Sequence, residues 1–101
     1  MSTEREHIPT GPPGFDPRRP YRRSPHVAVR PEPFGALVYH FGTRRLSFLK
    51  TTELATIVSE LDQHPDVLSA IAAAGVDEAQ HPTYLRALAA LAANGTIEER
   101  T

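Results

Sequence analysis

The sequence contains no cysteine, which excludes a disulfide framework, thiolate chemistry and a cysteine-held cluster. No apolar run approaches the core of a signal peptide or a membrane span, so a soluble, cytoplasmic chain without membrane contact is expected. A convergent set of reactive groups is missing too. Ser47, Ser59 and Ser69 have no nucleophile-elbow context, and no carboxylate pair stands out. The histidines at 7, 26, 40, 64 and 81 are scattered. His64 and His81 each precede a proline at a helix start, where a turn role suffices. His26 and His40 can face each other across neighbouring strands, but a metal site usually asks for three or four ligands. The expectation is a chain with no catalytic residue, no metal and no cofactor of its own.

Positive charge is short where nucleic acid would need it. Residues 1–25 hold five arginines against three acids, whereas residues 26–101 hold six basic and nine acidic side chains. The later part is mildly acidic, which argues against a phosphate-binding surface. Eight of the ten prolines fall in residues 1–33. Residues 1–24 combine proline, glycine and charge with almost nothing to bury, so a flexible tail is expected there. A second reading of that segment makes Arg18, Arg19, Tyr21, Arg22 and Arg23 a basic-aromatic arm that touches an acidic partner. Residues 25–101 remain as one small domain, of a size at which stability is marginal without a staple or a partner.

Residues 26–50 carry the dense apolar-aromatic pattern, and it reads as three short strands. Val27-Ala28-Val29 is stopped by Arg30-Pro31-Glu32-Pro33, whose prolines cannot donate to a ladder. Gly35 to Phe41 alternates, with Leu37, Tyr39 and Phe41 on one face and Ala36, Val38 and His40 on the other. Gly42-Thr43-Arg44 forms a turn with glycine available for positive φ. Arg45 to Leu49 alternates again, with Leu46 and Phe48 sharing a face. A meander of three strands leaves its first and third members as edges, each a row of unpaired donors and acceptors.

After Lys50 the period changes to 3.6. Thr51 or Thr52 can cap a helix over about 52–62 whose stripe is Leu54, Ile57, Val58 and Leu61. Pro65 suits the start of a second helix from Asp66 to Ala74, with Val67, Leu68 and Ile71 inward and Gly75 as its stop. A third helix runs from His81-Pro82 to about Ala93, with Tyr84 or Leu85, Leu88, and Leu91 or Ala92 as its stripe. Three antiparallel strands followed by three helices make an α+β domain with one sheet face against a helical layer.

The run from Arg30 to Leu49, RPEPFGALVYHFGTRRLSFL, closely resembles the signature of the mycofactocin peptide chaperone family, relatives of the pyrroloquinoline-quinone peptide chaperone. The resemblance extends through the order and spacing of the helices and leaves the first two dozen residues uncovered. It implies a winged-helix-like version of the α+β fold. It also implies a non-catalytic scaffold, which binds the leader of a ribosomally made precursor peptide and delivers its core to a radical S-adenosylmethionine enzyme. That maturase would hold the iron–sulfur clusters and modify the peptide's terminal tyrosine and neighbouring valine.

Two binding readings follow. A winged-helix DNA regulator is the alternative, but the third helix carries a single basic residue, Arg86, and Arg44 and Arg45 make a thin phosphate footprint. The resemblance favours a peptide module, in which the edge strand Arg45–Leu49 accepts an extended ligand. Family analogy carries the leader site to Arg45, Leu46, Ser47, Phe48 and Leu49, and to Tyr84, Leu85, Leu88 and Leu91. Taken singly, Leu46 and Phe48 read more readily as core. The signature residues Arg30, Pro31, Phe34, Gly35 and Tyr39 lie away from that edge and serve either the fold or the maturase. Arg30, Tyr39 and His40 are polar enough to be the docking contacts for the maturase.

Overall fold

The computed structural model describes residues 14–100. Its centre is an antiparallel meander of β2 (Val27–Glu32), β3 (Gly35–His40) and β4 (Arg45–Leu49), in that spatial order. Two further strands, β1 (Tyr21–Arg23) and β5 (Ile97–Glu99), form an antiparallel ribbon of their own. Between β4 and β5 the chain forms α1 (Thr52–Glu60), α2 (Val67–Ala73) and α3 (His81–Ala93), with 3₁₀ turns at Leu61–Gln63 and Glu78–Gln80. The α+β class, the three-stranded sheet and the three helices match the sequence reading.

The face the sheet turns to the helices is its small one. Val27, Ala36, Val38 and Leu49 are buried there, against Leu54, Ile57 and Val58 of α1. Ala36 and Gly35 explain the choice. A Cβ on Gly35 (φ 156°) would lie 2.0 Å from the Leu49 carbonyl oxygen and 2.9 Å from the Thr51 backbone, so the chain entering α1 passes too close for any side chain. The aromatic face is left outside. Leu46 and Phe48, read singly as core, are each 58% exposed, and Phe41 and Phe34 are exposed beside them. Their ring contacts stay on that face, with Phe34 and Phe48 centroids 6.3 Å apart and Tyr39 and Phe41 5.1 Å apart.

The helices follow their caps. Thr51, not Thr52, caps α1, its Oγ1 accepting from the Leu54 amide at 3.0 Å. Asp66 caps α2 through the Ser69 amide at 2.7 Å, so this helix begins beyond Pro65. That bond, reinforced by the Ser69 side chain, holds the Asp66 carboxyl below its ordinary value of 3.8. Leu68, assigned to the inward stripe of α2, is 39% exposed, and Ala70 takes the core position instead. The stripe of α1 is buried as expected.

The N-terminal segment departs most from expectation. Residues 1–13 lie outside the described residues, but residues 14–24 are packed into the fold rather than forming a flexible tail. Tyr21 is 4% exposed, packs its ring at a tilt against Phe15 with centroids 5.3 Å apart, and donates its hydroxyl to the Gly14 carbonyl. Burial pushes its phenol pKa up. The Pro17 carbonyl accepts the Val67 and Leu68 amides, two of the donors a helix start leaves unpaired. Two of these arginines pair with acids of the chain's own C-terminal strand, Arg22 with Glu98 across the β1–β5 ribbon and Arg19 with Glu99 beside it. Composition misleads here because one tyrosine and a few backbone bonds, made to residues far along the chain such as Val67, Thr96 and Arg100, order the segment.

The β3–β4 turn also differs. The positive φ falls on Arg44 (62°), not on Gly42. The His40 ring governs this, its Nδ1 accepting the Gly42 and Thr43 amides at 3.0 and 3.2 Å, which delays the reversal to Arg44.

Candidate functional site

Which edge of the sheet is open follows from ladder geometry. The Phe41 amide donates to the His26 carbonyl at 2.8 Å, so Phe41 points its polar groups toward β2. Strand residues alternate in this direction. Odd residues of β3 therefore bond to β2, and Ala36, Val38 and His40 bond to β4. Their partners are Leu49, Ser47 and Arg45. On β4 it is consequently Leu46 and Phe48 whose N–H and C=O face away from the sheet. The β2 edge is different. Its Val27 amide is already bonded to the Ser24 carbonyl, and Pro31 has no amide to offer. One edge is blunted and the other is open.

The open edge borders a groove of about 500 Å³ between β4 and α3. Ser47, Phe48 and Leu49 form its strand wall, Leu54 lies between, and Tyr84, Ala87 and Leu91 face them from α3. Thr83, Ala87, Ala90 and Asn94 also line it, and their spacing places them on one stripe of the helix. Small residues along that stripe keep the trough open. Tyr84 is fixed at the floor by its hydroxyl, 3.0 Å from Thr51 Oγ1. Lys50 is the one formally charged residue of the lining, while Arg44 and Arg45 stand exposed at the start of β4.

Of the residues assigned to the leader site, the structure brings together Ser47, Phe48, Leu49, Tyr84 and Leu91 around this groove. Arg45 and Leu46 are on β4 but outside the lining, and Leu46 instead stands on the outer face with its backbone at the open edge. Leu88 is fully buried in the core, which removes it from any ligand. Leu85 is partly buried against that core and does not line the groove. The helix stripe was therefore read one position off. Ala87 and Ala90 are groove residues, and their spacing with Thr83 and Asn94 is the sequence signal for that face.

The residues assigned to docking divide. Arg30 and Tyr39 stand on the outer sheet face, where Arg30 pairs with Glu32 at 2.8 Å. His40 is on the opposite face, its ring 6.4 Å from that of His26 and occupied with the turn amides. Among the described residues, no three histidine, aspartate or glutamate side chains gather as a metal site, and no helix is long and apolar enough to cross a membrane.

A free strand edge above an apolar trough is an arrangement on which an extended segment can pair. The chain belongs to the peptide chaperone MftB family, which it matches over residues 20–98. It is 60% identical over 78 residues, 77% of this chain and 72% of the relative, to the peptide chaperone MftB of Mycobacterium ulcerans. The Mycobacterium tuberculosis protein of that name is 52% identical over 86 residues, covering 85% and 79% of the two chains. That of Mycolicibacterium smegmatis is 56% identical over 77 residues, 76% of each. No solved structure gives a significant match. The resemblance drawn from residues 30–49 is borne out.

Proposed function

We propose that this chain binds the leader of a ribosomally made precursor peptide as an added strand on β4 and presents the peptide to a radical S-adenosylmethionine enzyme in mycofactocin biosynthesis, doing no chemistry itself. The observation that carries the reading is the pairing of an unblocked strand edge with a trough beside it. The Leu46 and Phe48 backbone groups supply hydrogen bonds independent of ligand sequence, and the groove adds side-chain choice. A leader is disordered when free, so ordering it lowers affinity for a given interface. A preformed edge reduces that cost by fixing one side of the pairing beforehand. Holding the leader while a second surface meets the enzyme makes delivery of the core effectively intramolecular. Arg30 and Tyr39, on the outer sheet face, are the docking contacts in this account.

The expected leader affinity is roughly 0.1–10 μM, about 7–10 kcal/mol. Isothermal titration with the precursor encoded beside this chain tests it. One-to-one binding that survives removal of the peptide's C-terminal core and is lost with its leader supports the proposal. Absence of binding by the folded protein overturns it.

A further inference from the structure

A β-strand cannot offer a neighbour only one of its faces. Successive side chains of any segment hydrogen-bonded to β4 point alternately to the two sides of the sheet. Those on the helical side enter the groove beside Ser47 and Leu49. The interleaved ones stand on the outer face, next to Leu46 and Phe48.

That outer face is apolar where it meets the open edge. Leu46 and Phe48 are each 58% exposed. Their cross-strand partners Tyr39 and Leu37 cover the β3 side, and Phe34 lies against Phe48. No described element covers the side on which an added strand would lie. Directly opposed side chains on one sheet face stabilise pairing when both are apolar, and aromatic with aliphatic pairs do so well. The charge around the edge is one-sided as well. Arg44 precedes β4, Arg45 begins it, Lys50 follows it, and no acidic side chain lines the groove.

Resting on the strand-addition reading above, we infer that the peptide is recognised on both faces: one alternate set of apolar side chains in the groove, the interleaved set packed on Leu46 and Phe48, and acidic rather than basic residues flanking the pair. The recognised stretch is then a short run of consecutive apolar positions, not an apolar-polar alternation. The outer row of the bound peptide becomes part of the exposed aromatic face, so the loaded and empty forms present different surfaces there.

The test is a serine scan of a synthetic peptide spanning the leader of the neighbouring precursor, titrated into the wild-type chain and into Leu46→Ser. Leu46 is the informative position because it lies outside the groove lining and its side chain is exposed, so the variant keeps its fold; circular dichroism checks this. Tenfold or greater losses at three or four consecutive peptide positions are expected, with Leu46→Ser itself losing about tenfold. In that variant the outward peptide positions should become insensitive to serine. Losses confined to every second position, with Leu46→Ser binding like wild type, would overturn the two-faced reading while leaving strand addition intact. Failure of the wild-type chain to bind the unsubstituted peptide would remove both. Sedimentation supplies the remaining outcome: a wild-type dimer that Leu46→Ser converts to monomer without changing peptide affinity would assign the outer row to self-association and overturn the inference.

Discussion

The Tyr84 hydroxyl lies 3.0 Å from Thr51 Oγ1, the same oxygen that accepts the Leu54 amide to cap α1. One threonine thus ends the β4 segment, starts a helix and anchors the tyrosine at the floor of the groove. That link ties the start of α1 to α3 beside the open edge.

Tyr84→Phe keeps the ring and removes the hydrogen bond. The expected stability loss is about 1 kcal/mol, read by urea unfolding, with leader affinity nearly retained. Tyr84→Ala removes part of the groove floor and should raise the leader Kd about tenfold or more. Equal affinity of the alanine variant and wild type would place the ligand elsewhere.

Ladder polarity predicts opposite fates for proline at adjacent positions of β4. The Ser47 amide faces β3, so Ser47→Pro breaks the sheet at a cost of about 3 kcal/mol, visible as a lowered Tm. The Leu46 amide faces outward, where proline is tolerated on an edge. Leu46→Pro should therefore stay folded by circular dichroism and lose leader binding about tenfold or more.

The fold is predicted to need its N-terminal strand. Tyr21→Ala empties a buried aromatic site and should cost about 3 kcal/mol. Arg22→Ala breaks only a half-exposed pair with Glu98 and should cost less than about 1 kcal/mol. A chain begun at residue 25 also loses the Pro17 carbonyl that accepts the first amides of α2. Its melting temperature should fall well below that of the full chain.

Asp66 gives a pH dependence with a defined sign. Its folded-state carboxyl titrates below 3.8 because the Ser69 amide donates to the charged form. The stabilisation is complete above the unfolded value and is lost as pH falls below it through the lower folded value. Asp66→Ala should cost about 1 kcal/mol at pH 7, and the gap from wild type should narrow in acid below about pH 4. Asp66→Asn should keep the cap and lose this dependence.

Much of this architecture is written locally. The meander follows from alternation in Gly35–Phe41 and Arg45–Leu49, and the helices from Thr51, Gly75 and the apolar stripes between them, because caps and turns act within a few residues. The sheet's orientation was not legible, since alternation cannot say which face is buried. The tight passage of Leu49–Thr51 over Gly35 decides that. The β1–β5 ribbon was missed because two three-residue strands pair across the whole domain. In the site, the strand half was legible as an edge. The helix half turned on rotation: Leu88 looked like a wall and is core, while the alanines beside it form the wall.

Amide hydrogen exchange, resolved by residue with and without the leader peptide, tests the central claim most directly. Without peptide, the Ser47 amide should exchange slowly and those of Leu46 and Phe48 fast, because only the former is bonded within the sheet. With peptide, Leu46 and Phe48 should become protected while Ser47 changes little. A bound leader that leaves the Leu46 and Phe48 amides exchanging as before would contradict strand addition at β4.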